Sequence, residues 1–401
     1  MVSVYQIALR SFRAEGTLKA AEEMLPYVKS CGFDTVYLCP MFEADADPDL
    51  STWSPRQRDS FCNNPKNPYK IADYNRVDIE YGSNGDLRRF IQTAHGEGLK
   101  VLLDLVYLHC GRNAVFAKEH PDWLEQEDGA PKVGERWPFA RINYQNEGVR
   151  EYLWENMVSF VRDYGADGFR CDVGDSVPLD FWAEGKKRIR AVNPQAILLN
   201  EGRNPAYVEE VFDLNYFVGL AAVRDELRKC EEPAAVLKRW WPTAQKGKTI
   251  HYYENHDLAS DSKLHRWDSK VPEEFTRLYL VMMYTLPGVP MLFNGNEFAD
   301  TAEQCMFSNR FYGKRAGLDW ANLQLPRGAE RLALVRQLNA LRREYPALQE
   351  GEPRFLEAPA QCVCYRRGAL TVFLNFGEEA VEFPQGEQVL CGKSFAIIKN
   401  G

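Results

Sequence analysis

The chain has 401 residues, of which 45% are hydrophobic and 26% charged, so it is long enough to bury a large core without disulfides or metal ions. Its formal net charge of -8 argues against a nucleic-acid partner, because phosphates attract clustered Lys and Arg side chains. No apolar stretch reaches transmembrane length, so we expect no membrane partner either.

The N-terminus reads MVSVYQIALRSF and shows no basic segment followed by a long apolar one, which argues against a secretory signal. The ten cysteines form no CxxC pair, and several lie inside apolar runs, where Cys acts as a small hydrophobic residue. Unpatterned thiols in this number are typical of a reducing compartment. We therefore expect a cytoplasmic protein.

Short apolar runs recur along the chain and are typical of strands buried on both faces of a sheet. In chain order they are Val2–Ala8, Thr35–Cys39, Val101–Tyr107, Gly168–Cys171, Ile197–Asn200, Phe212–Phe217, Thr249–Tyr253 and Met291–Phe293. Segments with apolar residues at helical spacing separate or follow them: Leu18–Cys31, Gly85–Gly96, Val149–Tyr164, Leu179–Val192, Leu220–Trp240, Pro272–Thr285 and Ala329–Arg343.

This alternation predicts parallel βαβ units and an α/β fold. Eight such units suggest a closed (β/α)8 TIM barrel over roughly 340 residues, more than the ~250 of a typical barrel, which implies inserted loops. We assign the barrel to residues 1–348. An open, doubly wound sheet is the alternative.

Two long segments interrupt the pattern, Met41–Pro68 and Cys110–Asn146. Long loops inside a compact domain are usually functional, and in a barrel the loops after the strands form the active-site face. We expect residues 110–146, after the third strand, to form a short inserted domain. After residue 348 the helical pattern stops and strand-like runs alternate with turns, which predicts a small antiparallel β domain over residues 349–401.

Ionisable residues stand where the predicted strands end, which is where barrel enzymes carry their catalytic groups. They are Asp104, His109, Arg170, Asp172, Glu201, His256 and Asp257. Taken singly, an Asp after a strand is more often a helix cap, a His a structural hydrogen-bonding residue and an Arg an ion-pair partner. Capping alone does not account for so many ionisable residues at one mouth of a barrel.

Glycoside cleavage can use such a set, because it needs one protonated carboxylic acid beside the leaving oxygen and one ionised carboxylate on the other face of the sugar. Asp172 and Glu201 follow neighbouring strands and can flank one bond. The fixed charge of Arg170 would keep Asp172 ionised, and desolvation near other carboxylates would raise the pKa of Glu201 so that it stays protonated.

The sequence resembles the α-amylase family of glycoside hydrolases from its first strand to its last domain. The residues that carry the resemblance are NPYKIADY at Asn67–Tyr74, YG at Tyr81–Gly82, AHGEGLKVLLD ending at Asp104, and four short motifs, DLVYLH, GFRCD, NEG and NHD. Each motif is weak alone, but their order at successive strand ends is specific. The resemblance implies that Asp172 is the nucleophile, Glu201 the general acid/base and Asp257 the stabiliser of the transition state.

It also implies that His109 and His256 hydrogen-bond sugar hydroxyls and that Tyr69 stacks on the sugar at the cleavage site. With Asp104 and Arg170, these residues make up the predicted substrate-binding set. The expected activity is retaining hydrolysis of α-glucosidic bonds in malto-oligosaccharides or related α-glucans, with no cofactor. The alternatives are an α-glucosyltransferase or isomerase of the same family, and a non-catalytic sugar-binding or interaction protein on the same barrel.

Within the family, several segments look like the maltogenic-amylase and neopullulanase branch: NYQN at Asn143–Asn146, VREYL at Val149–Leu153, Cys171–Val173 and Phe181–Trp182. Enzymes of that branch usually carry an N-terminal β domain, for which this sequence shows no counterpart. Asp175 and Ser176 stand where endo-acting amylases often have a Lys–His pair. Gly202–Arg203 replaces the bulkier residues common after the motif Glu. Both departures put endo-amylase subsite contacts in doubt.

Many family members hold a structural calcium ion where the inserted domain meets the barrel, with an Asn oxygen from the first motif. Here the matching residue is Leu108, and Ser176 replaces a second contributor. The acidic residues of the inserted segment, Glu119, Asp122, Glu125, Glu127, Asp128 and Glu135, leave open a site built differently, although such density is more often a solvated surface. We expect no metal ion at this junction.

Overall fold

A computed structural model describes residues 1–244, 247–261, 266–312, 317–385 and 388–400. Parts of both predicted domains, including residues 386–387 and 401 of the C-terminal one, therefore lie outside the described residues. Eight parallel strands form one sheet, in the order β6-β5-β4-β3-β2-β1-β8-β7. The strands β1 to β8 are Val4–Ile7, Thr35–Leu38, Lys100–Leu105, Gly168–Cys171, Ile197–Asn200, Leu214–Asn215, Ile250–His251 and Val289–Phe293.

The sheet closes on itself through a parallel bridge between Asn215 of β6 and Thr249, which directly precedes β7. The predicted (β/α)8 barrel is therefore confirmed, and the open doubly wound sheet is wrong. Alternate strand residues point to opposite faces. Those facing inward fill the barrel, among them Val4, Tyr37, Leu102, Leu199, Ile250 and Met291. The other face packs against the surrounding helices.

The main helices around the barrel are Leu18–Glu22, Leu25–Ser30, Asn84–Gly96, Glu147–Tyr164, Leu179–Val192, Pro205–Glu210, Arg224–Leu227, Pro233–Trp240, Glu273–Thr285 and Pro326–Glu344. Two predictions of single helices were wrong. Leu18–Cys31 is divided before Leu25, and Leu220–Trp240 is divided before Pro233. In both cases a proline lies in the first turn of the later helix, where its missing N–H and fixed backbone angle suit a start rather than a continuation.

The segment Met41–Pro68 is not the unstructured loop that its composition suggests. Its first part, Phe42–Ala46, is a strand that pairs with the 12-residue strand Lys66–Val77. The register of this pair shifts three times between Phe42 and Ala46, so the pairing is irregular. The pair rises from the barrel after β2 and carries Tyr69 at the barrel mouth.

The inserted segment after β3 is built from short pieces. His109–Cys110 pairs with Ala140–Arg141, and a small hairpin joins Gln126–Glu127 to Ala130–Pro131. A helix, Val115–Glu119, lies between them. The antiparallel pairing returns the chain to its starting point, so the segment covers one side of the barrel mouth.

After the last helix the chain forms a four-stranded antiparallel sheet. Its strands β9 to β12 are Arg354–Phe355, Cys362–Arg367, Leu370–Asn375 and Ser394–Lys399. The sheet packs on the barrel helix Glu273–Thr285, where Phe376 lies 5.8 Å from Phe275 between ring centres. The antiparallel C-terminal β structure is confirmed, whereas the domain boundary at residue 348 stays a prediction.

Candidate active site

One guanidinium group lies at the centre of the carboxyl ends of β3, β4 and β5. Arg170 is fully buried, and its Nη1 lies 2.8 Å from one oxygen of Asp104 and 2.8 Å from one oxygen of Asp172. Its Nη2 lies 2.7 Å from an oxygen of Glu201. A buried cation is tolerated only when it is paired, and here three carboxylates share it.

Strand register explains why these groups meet. Arg170 and Asp104 are direct neighbours on β4 and β3, and both point into the barrel because each lies two residues after an inward position. The backbone N–H groups of Asp172 and Glu201 continue the ladder, donating to the carbonyls of Leu105 and Cys171 at 2.9 and 3.0 Å. The first residue beyond each strand is therefore held as firmly as the strand itself.

The two carboxyl groups nearest Arg170 differ in acidity. Burial raises the pKa of Glu201 to about 8, and its second oxygen accepts a 2.8 Å hydrogen bond from the backbone N–H of Val173. Burial also raises the pKa of Asp172, to about 6, although Arg170 and a hydrogen bond with Glu201 act in the opposite direction. Around neutral pH, Glu201 therefore keeps a proton while Asp172 is mostly ionised.

Val173, which follows Asp172, adopts a left-handed backbone conformation with φ of 44°. A β-branched residue is rarely found there, and such strain concentrates at functional sites. The conformation turns the Val173 N–H towards Glu201, so the strained bend directly links the positions of the two carboxyl groups.

Asp257 lies across the cleft at the start of the short helix His256–Asp261. Burial opposes its ionisation, but the nearby His256, Arg56 and Arg170 together lower its pKa. Arg56, from the segment after β2, forms an ion pair with Asp257 and lies over the ring of Trp137 at 5.3 Å. Asp257 is therefore an ionised carboxylate held by a cation from another loop.

Tyr69 and His256 form the floor beside Asp104. Their rings are nearly parallel, with centres 5.6 Å apart, and the Tyr69 hydroxyl hydrogen-bonds Nε2 of His256. Gln6 contacts the other ring nitrogen at 2.7 Å, and burial lowers the pKa of His256 to about 4, so the imidazole is neutral. Tyr37 donates to Asp104 at 2.5 Å. Each polar group in this floor has its orientation fixed by a partner.

His109 differs from the rest, because its buried Nε2 has no hydrogen-bond partner. Its ring lies 4.7 Å from that of Phe139 in the inserted segment, and burial lowers its pKa to about 3. An unpaired buried nitrogen costs free energy unless a ligand satisfies it. The neutral imidazole is thus available to a hydroxyl group in the cleft.

These side chains border a cleft of about 560 Å³. Of the predicted site residues, Tyr69, His109, Asp172, Glu201 and Asp257 line the cleft, and Asp104, Arg170 and His256 contact them from below. Sequence reasoning missed Arg56, Trp137, Phe139, Met306 and Phe307, which also line it. They come from loops without a strand-end signal, and only the aromatic content of Trp137–Phe139 inside a polar insertion offered a hint.

Within the described residues, no group of three or more His, Cys, Asp or Glu side chains is arranged to hold a metal ion. No helix among the described residues is both long enough and apolar enough to cross a membrane.

Comparison with known proteins gives a consistent result. The family described as "Alpha amylase, catalytic domain" matches residues 6–130. The alpha-amylase MalA of Haloarcula japonica is 27% identical over 96% of this chain and 57% of its own length. The maltogenic alpha-amylase of Bacillus acidopullulyticus is 25% identical over 96% of this chain and 68% of its own. Residues 6–130 of this chain are thus similar to the α-amylase catalytic domain, and both relatives carry the name α-amylase. It spans about 57% to 68% of the length of these two relatives.

Solved structures of two other proteins share the fold of this chain. A noncanonic maltogenic alpha-amylase, AmyB of Thermotoga neapolitana, is 24% identical, with a TM-score of 0.78 over 100% of this chain and 96% of that one. The ligand-free cyclic α-maltosyl-(1→6)-maltose hydrolase of Arthrobacter globiformis has a TM-score of 0.80 at 16% identity, covering 100% of this chain and 99% of that one. The barrel and the C-terminal sheet are thus common to proteins with little remaining sequence identity.

Proposed function

We propose that this protein is a retaining glycoside hydrolase that cleaves α-glucosidic bonds in malto-oligosaccharides or related α-glucans. The observation that carries the proposal is the pair Asp172 and Glu201, which share Arg170 at the bottom of one cleft but differ in pKa. A retaining mechanism needs this contrast, because one carboxyl group must be ionised as nucleophile while the other holds a proton.

In the first step the ionised Asp172 attacks the anomeric carbon, and the bond from that carbon to the leaving oxygen breaks. Glu201 transfers its proton to that oxygen, so the leaving sugar departs as a neutral alcohol and Glu201 becomes a carboxylate. The Val173 N–H and Arg170, which contact Glu201, stabilise the negative charge that it gains.

In the second step Glu201 removes a proton from a water molecule, and the resulting oxygen attacks the anomeric carbon. The bond to Asp172 breaks, and both carboxyl groups return to their starting states. We assign Asp257 to stabilising positive charge on the sugar ring, since it is the ionised carboxylate of the opposite wall. His109 hydrogen-bonds a sugar hydroxyl, and Tyr69, whose hydroxyl is held by His256, provides an aromatic surface beneath the sugar.

The names of the relatives support the substrate class. They include α-amylase, maltogenic α-amylase, cyclomaltodextrinase and oligo-1,6-glucosidase, at 23% to 27% identity over 73% to 96% of this chain. A polar cleft with one His, one Tyr and several carboxylates suits a neutral, hydroxyl-rich ligand. The names differ from one relative to the next, so the bond that this protein cleaves, α-1,4 or α-1,6, has to be measured.

Transfer to a second sugar is the alternative reaction. A sugar hydroxyl can replace water in the second step, because the covalent intermediate is the same. One relative, an α-1,4-glucan:maltose-1-phosphate maltosyltransferase of Myxococcus xanthus, is 31% identical over 216 residues, which are 49% of this chain and 32% of its own length. Product analysis at rising sugar concentration separates the two reactions.

We extend the proposal to the compartment, the domains and the binding partner of the enzyme. All ten cysteines are free thiols, which supports a reducing, cytoplasmic compartment. Residues 1–348 are proposed as the catalytic domain with the insertion 110–146, and residues 349–401 as the C-terminal domain. The partner is an oligosaccharide, without a nucleic acid or a membrane.

Hydrolysis of maltotriose, maltose-type and isomaltose-type oligosaccharides tests the proposal, with products identified by chromatography. Proton NMR of the first product should show the α anomer, because two displacements retain configuration. Appearance of the β anomer first would exclude the retaining mechanism. No turnover of any α-linked oligosaccharide, combined with measurable sugar binding, would favour the non-catalytic alternative.

A further inference from the structure

Two thiols outside the catalytic set lie against each other beside the cleft. The sulfur atoms of Cys62 and Cys305 are 3.6 Å apart, although 243 residues separate them in sequence. Cys62 belongs to the segment after β2, and Cys305 to the segment after β8. Both residues are buried, with exposed fractions of 4% and 1%. Among the interactions found for described residues, no other two cysteine sulfurs are in contact.

The surroundings hold the two segments at a fixed separation. Asn64 donates from its side chain to the carbonyl of Phe307 at 2.8 Å. The buried Arg10 donates to the carbonyls of Met306 and Lys66 at 2.6 and 3.2 Å. Hydrogen bonds therefore link the same two segments on either side of the thiols, and the approach of the sulfurs is built into the junction.

The backbone around Cys62 is strained in a way that aims its side chain inward. Both neighbours, Phe61 and Asn63, have positive φ, 57° and 48°. Phe61, a bulky aromatic residue, is 92% exposed, whereas the small Cys62 is buried. Backbone strain of this kind concentrates at functional sites.

We propose that Cys62 and Cys305 form an oxidisable dithiol, and that its reversible disulfide covalently joins the segments after β2 and β8 at the edge of the cleft. A hydrogen bond from Cys305 lowers the pKa of Cys62 to about 7, whereas burial raises the pKa of Cys31 to about 12. Cys62 thus supplies the thiolate, which is the reactive form.

Hydrogen peroxide oxidises the two thiols in two steps. The Cys62 thiolate attacks one oxygen of hydrogen peroxide, the O–O bond breaks and hydroxide leaves, which gives a sulfenic acid. The Cys305 sulfur then attacks the Cys62 sulfur, an S–S bond forms, and the sulfenic oxygen leaves as water with the Cys305 proton. Two thiols are oxidised and one peroxide is reduced to two water molecules. A dithiol reductant reverses the change.

A disulfide between Cys62 and Cys305 affects the structure because of its place beside the cleft. Cys62 and Cys305 form one cluster with Met306 and Phe307, which line the cleft, and Tyr69 packs against it. A covalent link across 243 residues removes conformational freedom from the unfolded chain and ties the two cleft walls together. We expect the oxidised protein to melt at a higher temperature than the reduced one.

The experiment treats the intact protein with hydrogen peroxide, removes the oxidant, and maps disulfides by mass spectrometry of non-reduced peptides. We expect one Cys62–Cys305 linkage, a thiol count lower by two than the ten of the reduced chain, a raised melting temperature, and full reversal by dithiothreitol. Cys62→Ser and Cys305→Ala should each abolish all of these effects.

Cys364→Ser is the matched control, because Cys364 is buried in the C-terminal sheet and belongs to a different cluster from Cys62 and Cys305. This variant should form the linkage like the parent. A different linkage, no linkage while other cysteines oxidise, or a linkage that leaves the melting temperature unchanged would overturn the proposal. Mapping on the parent chain decides the question even if a Cys62 variant fails to fold.

Discussion

At the scale of single residues, the site depends on how two carboxyl groups share one guanidinium. Arg170 alone would keep both Asp172 and Glu201 ionised, but burial raises the pKa of each and that of Glu201 more. Desolvation therefore decides which carboxyl group keeps a proton. A retaining mechanism needs the carboxyl groups of Asp172 and Glu201 to lie roughly 5–5.5 Å apart.

Asp172→Asn and Glu201→Gln should each lower kcat by several orders of magnitude, because each removes one half of a two-step displacement. Steady-state kinetics with maltotriose measure the effect, and melting curves establish that the variants are folded. Asp163→Asn is the control, since this carboxylate is paired with Arg162 on the protein surface and should keep parental turnover. Turnover near the parental value in either site variant would refute the assigned role.

The pH dependence of kcat/KM should be bell-shaped. Activity rises with pH as Asp172 loses its proton, near its raised pKa of about 6, and falls as Glu201 loses its own, near about 8. Because the groups interact, the two limbs report the pair rather than either residue. With a substrate whose leaving group needs no protonation, Glu201→Gln should lose the alkaline limb. An alkaline limb that persists in this variant would assign it to another group.

Tyr69→Ala should lower kcat/KM about tenfold or more, because an aromatic surface and a hydroxyl held against His256 are both lost. Tyr69→Phe keeps the ring and loses only the hydroxyl, so its loss should be smaller. The comparison separates stacking from orientation of His256. Unchanged kcat/KM in Tyr69→Ala would mean that the ring only packs under its own segment.

At the scale of elements, the loops after β2 and β3 supply what the barrel strands cannot. The strand pair Phe42–Ala46 and Lys66–Val77 brings in Tyr69, and the segment between the two strands brings in Arg56. The inserted segment contributes Trp137 and Phe139 to the opposite wall. Aromatic and cationic side chains from two loops thus close over carboxylates fixed by the strands.

Activity should survive exhaustive chelation, because we expect no calcium site, with its six to eight oxygen ligands, where the inserted segment meets the barrel. Leu108 offers no side-chain oxygen, Glu125 faces Lys132 at 3.4 Å, and Asp122 accepts a hydrogen bond from Asn146 at 2.6 Å. Activity and melting temperature measured in EDTA, with and without added calcium, check this. A loss of activity in EDTA that only added calcium restores would contradict the expectation.

At the scale of the whole molecule, the C-terminal sheet is fastened to the barrel by one buried cation. Arg367 on β10 is 2% exposed, and its guanidinium donates to four backbone carbonyls, those of Thr285, Ala347, Glu350 and Gly351. These carbonyls belong to a barrel helix and to the connection between the barrel and the sheet. Burial lowers the pKa of Arg367 to about 10, which still leaves it charged at neutral pH.

Arg367→Ala should therefore destabilise the whole chain by about 3–5 kcal/mol, because four buried carbonyls lose their donor. Chemical denaturation followed by tryptophan fluorescence measures the change. Arg366→Ala is the matched control, since this neighbour on the same strand is exposed and should change stability by less than about 0.5 kcal/mol. Equal effects from the two variants would show that Arg367 does not fasten the sheet.

The amino-acid sequence by itself determined the alternation of strands and helices, the C-terminal β structure and the placement of ionisable residues at strand ends. These follow from local patterns: buried parallel strands are continuous apolar runs, and a parallel barrel brings all strand ends to one mouth. The order of four short motifs at those ends was enough to indicate a resemblance to the α-amylase family. Asp172, Glu201 and Asp257 could therefore be selected before any coordinates.

Only the tertiary structure decided what depends on distant contacts. Phe42–Ala46 is a strand that pairs with the distant Lys66–Val77. Prolines in the first turn of two later helices divide two segments that were each predicted as one helix. Burial raises the pKa of Glu201 above that of Asp172, which charge patterns alone cannot rank, because desolvation depends on the packing of the whole barrel. The meeting of Arg56 with Asp257, and of Cys62 with Cys305, likewise requires loops that have no local signal and approach each other only when the barrel closes.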